Sequence, residues 1–117
     1  MYRIPHNLNL DDIVNSQIQK ICLGRYQVDF QFGSGRLITV YGNIEIFDQK
    51  TLVASWNEKS NWSTTTFQKL LNINIVSYEV INDRLLGIRF EGNLELHLHD
   101  SSDQYESIEI FPEIIII

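Results

Sequence analysis

The sequence predicts an α+β fold that is mostly antiparallel β. It comprises two meanders, arranged as a sandwich or a strongly curved sheet, with one packed helix near residues 64–71. Three observations carry this expectation. From Ile18 onward apolar residues recur with a period of two. Turn signals at Gly33-Ser34-Gly35, Asn82-Asp83 and Glu91-Gly92-Asn93 cut these runs into strand-length pieces. Only the stretch after Ser63 and Thr64 sets apolar residues, Phe67, Leu70 and Leu71, at the i, i+3, i+4 spacing of a helix docking on a sheet.

In chain order, residues 1–17 read as an irregular lead-in, with Pro5 blocking regular structure. Asn9 can cap a short helix over residues 10–14, where Asp11 and Asp12 suit the first turn. Residues 18–23 read as a strand, and Gly24-Arg25 as a turn. Tyr26, Val28, Phe30 and Phe32 then alternate with Gln27, Asp29 and Gln31, the pattern of a strand with one wet face. Gly33 and Gly35 suit a hairpin connection. Residues 36–48 read as one strand, bent or bulged at Gly42. Residues 49–61 are polar with weak periodicity and read as a loop or edge segment carrying Trp56. Ser63 or Thr64 caps the helix. Strands follow at 75–81, 85–90, 94–99 and 106–111, with Glu95, His97 and His99 outward and Pro112 closing the last. Residues 112–117 form an apolar tail. The pieces 18–40 and 75–98 echo one another as strand, turn, strand, hairpin, strand, which suits two meanders packed face to face with the helix linking them.

A chain of 117 residues is expected to form a single domain, 1–117, large enough to bury a core without staples. Cys22 is the only cysteine, so neither an internal disulfide nor a thiolate zinc site is available, and it reads as a small buried hydrophobe. No apolar run has the length of a signal-peptide core or a membrane span, so the expected setting is cytoplasmic, with no membrane partner. The net charge of −6 disfavours nucleic acid and favours a basic protein. That acidity is local. Residues 91–113 hold seven acids and no Lys or Arg, while the rest of the chain has eight acids against nine bases.

Catalytic signals are absent from the sequence, and no cofactor is expected. There is no Gly-x-Ser-x-Gly elbow and no phosphate loop, so the chain does not read as an enzyme. His97 and His99 share a strand face and could ligate one ion if a third ligand joined them, but strand-end histidines on a wet face are ordinarily just solvated. The acids after residue 99 sit amid Ser and Gln in an exposed context, which suits an interaction surface better than acid–base chemistry. Asp100, Asp103, Glu106 and Glu109 are the expected contact acids, with Tyr105 as an anchor among them. Trp56 and Trp62 join them as candidates, because aromatics in loop or edge contexts are enriched at binding hot spots.

Residues 21–32, 85–96 and 103–110 resemble a family of small bacterial β-rich domains, the match spanning residues 18–111 and most distinctive at Gln104-Tyr105-Glu106-Ser107. Similar small domains occur among the immunity proteins of bacterial toxin systems, including contact-dependent growth inhibition. The resemblance implies a binding protein that occludes a cognate, basic toxin domain, such as a nuclease, with its acidic surface. A non-catalytic ligand-binding or scaffold domain, with an apolar cleft near Trp56 and Trp62, is the alternative.

Overall fold

The computed structural model describes residues 3–117. It holds eleven strands in two antiparallel sheets about a common core. The first sheet has the order β1-β2-β3-β10-β11, from β1 (Ile18–Leu23), β2 (Val28–Phe32), β3 (Leu37–Val40), β10 (Ile108–Phe111) and β11 (Ile115–Ile116). The second has the order β6-β5-β4-β9-β8-β7, from β4 (Ile44–Asp48), β5 (Thr51–Asn57), β6 (Asn61–Trp62), β7 (Ile75–Asn82), β8 (Leu85–Phe90) and β9 (Leu94–His99). The two echoing meanders, β1–β3 and β7–β9, fall in different sheets.

Period-two patterning sets the layers. Val28, Phe30 and Phe32 of β2 and Leu94, Leu96 and Leu98 of β9 point into one core together with Ile38, Ile46, Ile88 and Ile110. Burying side chains of this size contributes about 1.5–3 kcal/mol each relative to exposure. Their alternating neighbours Asp29, Glu95, His97 and His99 remain partly exposed on the outer faces.

The stretch 36–48 is not one bent strand. It splits at Tyr41-Gly42-Asn43, so that β3 lies in the first sheet and β4 in the second. Glycine is required at the crossing. A Cβ on buried Gly42 would lie 2.3 Å from the His99 carbonyl oxygen and 2.7 Å from Ser101 Oγ. The tight connection brings the end of β3 against the chain leaving β9, with the Tyr41 and Gly42 amides both donating to the Ser107 carbonyl.

Residues 49–61, expected as loop or edge, contribute a full strand instead. Gln49 and Lys50, at φ 53° and 68°, form a two-residue turn between paired Asp48 and Thr51. A register shift between Ile46 and Phe47 displaces β5, which still buries Ala54 and Trp56.

The expected helix is a 3₁₀ segment, Thr65–Leu70, and the described residues contain no α-helix. Thr64 does cap it, its hydroxyl accepting from the Thr66 amide at 3.2 Å and donating to the Val53 carbonyl. Phe67 and Leu70 are buried, and a spacing of three is one 3₁₀ turn. The Thr64-Thr65-Thr66 run resists the α conformation, and Asn72, at φ 62°, ends the segment before β7. It follows β6 instead of bridging the two meanders directly. The early helix is likewise a 3₁₀ turn, Asp11–Ile13.

The apolar tail is structural. After the cis Phe111–Pro112 bond the chain returns as β11, pairing Ile115 with Ile110 and Ile116 with Glu109. Ile117 is fully buried; its amide donates to the Ile108 carbonyl, and its own carbonyl accepts from the Ser107 and Ile108 amides.

Candidate functional site

Four connections gather at one end of the two sheets: the β1–β2 turn, the β3–β4 crossing, the β5–β6 turn and the segment from Ser101 to Ser107. The pairings Val28–Val40–Ile108 and Trp56–Ile44–Leu98 align these strand ends. Loops held by a rigid sheet scaffold are where binding groups concentrate. Between them lies an open cleft of about 1010 Å³, lined among others by Tyr26, Tyr41, Glu58, Tyr105, Glu106 and Glu109.

The predicted acidic face divides here. Asp100 is not available to a partner. Its side chain is fully buried, with Oδ2 receiving Arg3 Nη1 at 2.9 Å and Oδ1 accepting from Ser107 Oγ at 3.3 Å. A buried carboxylate needs such partners, and their supply by the lead-in arginine could not be read from local sequence. Asp103 is exposed but already neutralised, bridged by Arg84 and by Arg3 Nη2 at 2.6 Å. Hydrogen bonds from these arginines, Arg84 first, hold its carboxyl below the usual carboxylate range. Asp100 and Asp103 thus fasten the N-terminal lead-in to the loop that carries Tyr105.

Glu106, Glu109 and Tyr105 do come together. Tyr105 is 69 % exposed, and Glu106 is exposed beside it. Glu109, on β10, accepts a hydrogen bond from the Tyr41 hydroxyl. That bond, then burial, then the nearby charges of Glu109, Asp29 and Glu106 push the Tyr41 phenol up to about 12. Tyr41 therefore stays protonated and donating, in surroundings that are electrostatically negative. Among the described residues no ion pair involves Glu58, Glu106 or Glu109. Among the described residues of the lining, Lys59 is the only cation, against three glutamates.

Neither tryptophan belongs to this surface. Trp56 is 2 % exposed on the inner side of β5, because the hidden β5 strand turns its ring into the core. Trp62 pairs opposite it across β6 and stacks on Phe67 at 4.5 Å between ring centroids. Its indole Nε1 is buried without a hydrogen-bond partner among the described residues. Tyr26, Tyr41 and Glu58 replace them in the site. Sequence reasoning missed these three because only the topology brings their connections together.

The histidines lie elsewhere, on the outer face of the second sheet, and each has a carboxylate partner. His99 Nε2 lies 2.6 Å from Glu45 Oε1, and His97 Nε2 lies 3.2 Å from Glu95 Oε2. Among the described residues no group of three or more His, Cys, Asp or Glu side chains is placed to hold a metal ion. No helix among them is long and apolar enough to cross a membrane.

Comparison with protein-family models, characterised proteins and solved structures finds no match for this chain. The chemistry of the cleft itself carries the functional reading.

Proposed function

We propose that the protein is an immunity-type binding protein. It neutralises a basic protein domain, in the toxin setting that its sequence resemblance implies, and does so by occlusion without chemistry of its own. The observation that supports this most is the cleft end of the fold, where Glu58, Glu106 and Glu109 have no cationic partner among the described residues and lie beside the exposed ring of Tyr105. A nuclease domain presents cationic surface to a polyanion, so a compact acidic, aromatic-rich surface can cover it, and opposite charge speeds the encounter. Tyrosine supplies rigid amphipathic contact area at low entropy cost, as in antibody paratopes. The alternative, a ligand-binding module with an apolar cleft near Trp56 and Trp62, loses its support because those rings are packed against the protein itself.

The deciding experiment is co-expression with the protein encoded beside it, followed by size exclusion and a growth assay. A stable complex with growth rescue supports the reading. Glu106→Gln combined with Glu109→Gln should slow association about tenfold at low salt and flatten its dependence on ionic strength. An association rate unchanged by that pair would refute the acidic-cleft mechanism.

A further inference from the structure

We infer that the cleft takes an arginine side chain from the partner, so that the recognised element is an exposed, arginine-bearing loop; this rests on the binding-protein reading above. Three tyrosines on three separate connections contribute to one concave surface: Tyr26 from the β1–β2 turn, Tyr41 from the crossing and Tyr105 from the loop after β9. Tyr26 and Tyr105 are 56 % and 69 % exposed, leaving aromatic surface uncovered in the isolated chain. Tyrosine faces attract cations, and the guanidinium stacks on them as a flat plate. The rim of the cleft already shows this, with the Arg25 guanidinium carbon 5.2 Å from the centre of the Tyr26 ring.

The carboxylates complete the set. Glu109 is fixed by the Tyr41 hydroxyl at Oε1, which turns a mobile side chain into an oriented acceptor. Glu106 and Glu58 add charge on the same surface, and with Lys59 the lining carries a net −2. An oriented carboxylate beside aromatic faces fits the guanidinium fork, which donates in two parallel directions. A lysine ammonium is a more strongly hydrated point charge and gains less from stacking. An anionic ligand would meet net repulsion, since the three glutamates outweigh Lys59. The cleft, at about 1010 Å³ and open to solvent, has the size for a chain segment around that side chain.

The test uses the full chain and three blocked peptides, acetyl-Gly-Arg-Gly-amide and its lysine and citrulline counterparts, followed through the tyrosine ring NMR signals. The arginine peptide should shift the Tyr41 and Tyr105 signals saturably, the lysine peptide should bind several-fold more weakly, and citrulline, equal in shape but uncharged, should not bind. Glu106→Gln with Glu109→Gln should weaken the arginine peptide about tenfold. Tyr105→Ala, in the exposed loop, should weaken it as well. Glu91→Gln, the same charge change at the opposite end of the second sheet, should leave it unchanged. Equal binding of arginine and citrulline, or of arginine and lysine, overturns the inference, as does an equal loss with Glu91→Gln. If the peptide is ignored while the co-expressed partner is still held, the arginine inference falls and the binding-protein reading stands. Peptide binding by a chain that holds no partner has the opposite consequence.

Discussion

Replacing Arg36 separates two kinds of ion-pair cost that are usually confounded. Its guanidinium joins both ends of the fold to the β2–β3 hairpin. Nε and Nη2 hold Asp12 at 2.5–3.0 Å, and Nη1 holds both oxygens of Glu113 at 2.8 and 3.0 Å. Burial is one-sided, with the Arg36 side chain 8 % exposed and its partners 41 % and 43 %. In Arg36→Met the two carboxylates can turn to water, so the loss is that of the charge-assisted bonds, about 2–3 kcal/mol. In Asp12→Asn with Glu113→Gln, the buried guanidinium is left without counter-charge, which costs about 3–5 kcal/mol at that arginine. Removing the acids should therefore hurt more than removing the base. The pH dependence has a definite sign. Hydrogen bonding to Arg36 is the foremost cause holding both carboxyls below their ordinary values. A carboxyl depressed in the folded state stabilises above its unfolded value, near 4, and that contribution is lost as pH falls through the folded value. Urea midpoints should thus fall more steeply below about pH 4 in the parent protein than in Arg36→Met. Urea unfolding at pH 7 and pH 3, followed by tryptophan fluorescence, reads both effects. The reasoning is refuted if Arg36→Met costs as much as the double acid variant at pH 7. It is also refuted if the gap between parent and Arg36→Met does not narrow in acid.

Three further substitutions bear on the fold and the cleft. Trp62→Phe should be neutral or stabilising by up to about 1 kcal/mol in urea unfolding, because it keeps the stack on Phe67 and removes a buried indole donor that has no acceptor. Gly42→Ala should cost about 1–3 kcal/mol, since its Cβ would displace the His99 carbonyl, and it should also weaken partner binding because Gly42 lines the cleft. Ile117→Ala should cost about 2–5 kcal/mol by calorimetry, as expected of a fully buried isoleucine.

Where side-chain alternation was clean, the sequence was sufficient. The patterns in β2 and β9 correctly separate core from surface, because a pleated strand with one buried face must alternate. Three features were hidden for identifiable reasons. The β4–β5 turn uses Gln49-Lys50 with both residues at positive φ, a conformation ordinarily announced by Asn-Gly or Asp-Gly. The register shift beside Phe47 then breaks the period of two, so β5 and the inward Trp56 did not look like core. At Gly42 a close approach between sheets reads locally like a bulge, since both demand a missing Cβ. The candidate site was half legible for the same reason. The stretch carrying Tyr105, Glu106 and Glu109 was visible as a local excess of acid, whereas Tyr26, Tyr41 and Glu58 reach it only through the topology.

The fate of the acids after residue 90 shows why a charge count alone misplaces a binding surface. Glu95 faces His97 and Arg89, Asp100 and Asp103 share Arg3, Asp103 also meets Arg84, and Glu113 is held by Arg36. Glu91 accepts from the Asn74 amide. The arginines come from the lead-in, from the β2–β3 hairpin and from the second meander, so an excess that is local in sequence is largely balanced in space. What the described residues leave uncompensated is Glu106 and Glu109, joined by Glu58 from the other sheet, all on one cleft. Paired charges nearly cancel beyond a Debye length, about 8 Å at physiological salt, whereas unpaired ones project a field that an approaching cation can follow. The steering charge is thus smaller than the sequence suggests and more sharply placed. For that reason Glu106→Gln, which touches no ion pair, should slow capture of a basic partner, while Asp103→Asn should act mainly by loosening the loop that presents Tyr105.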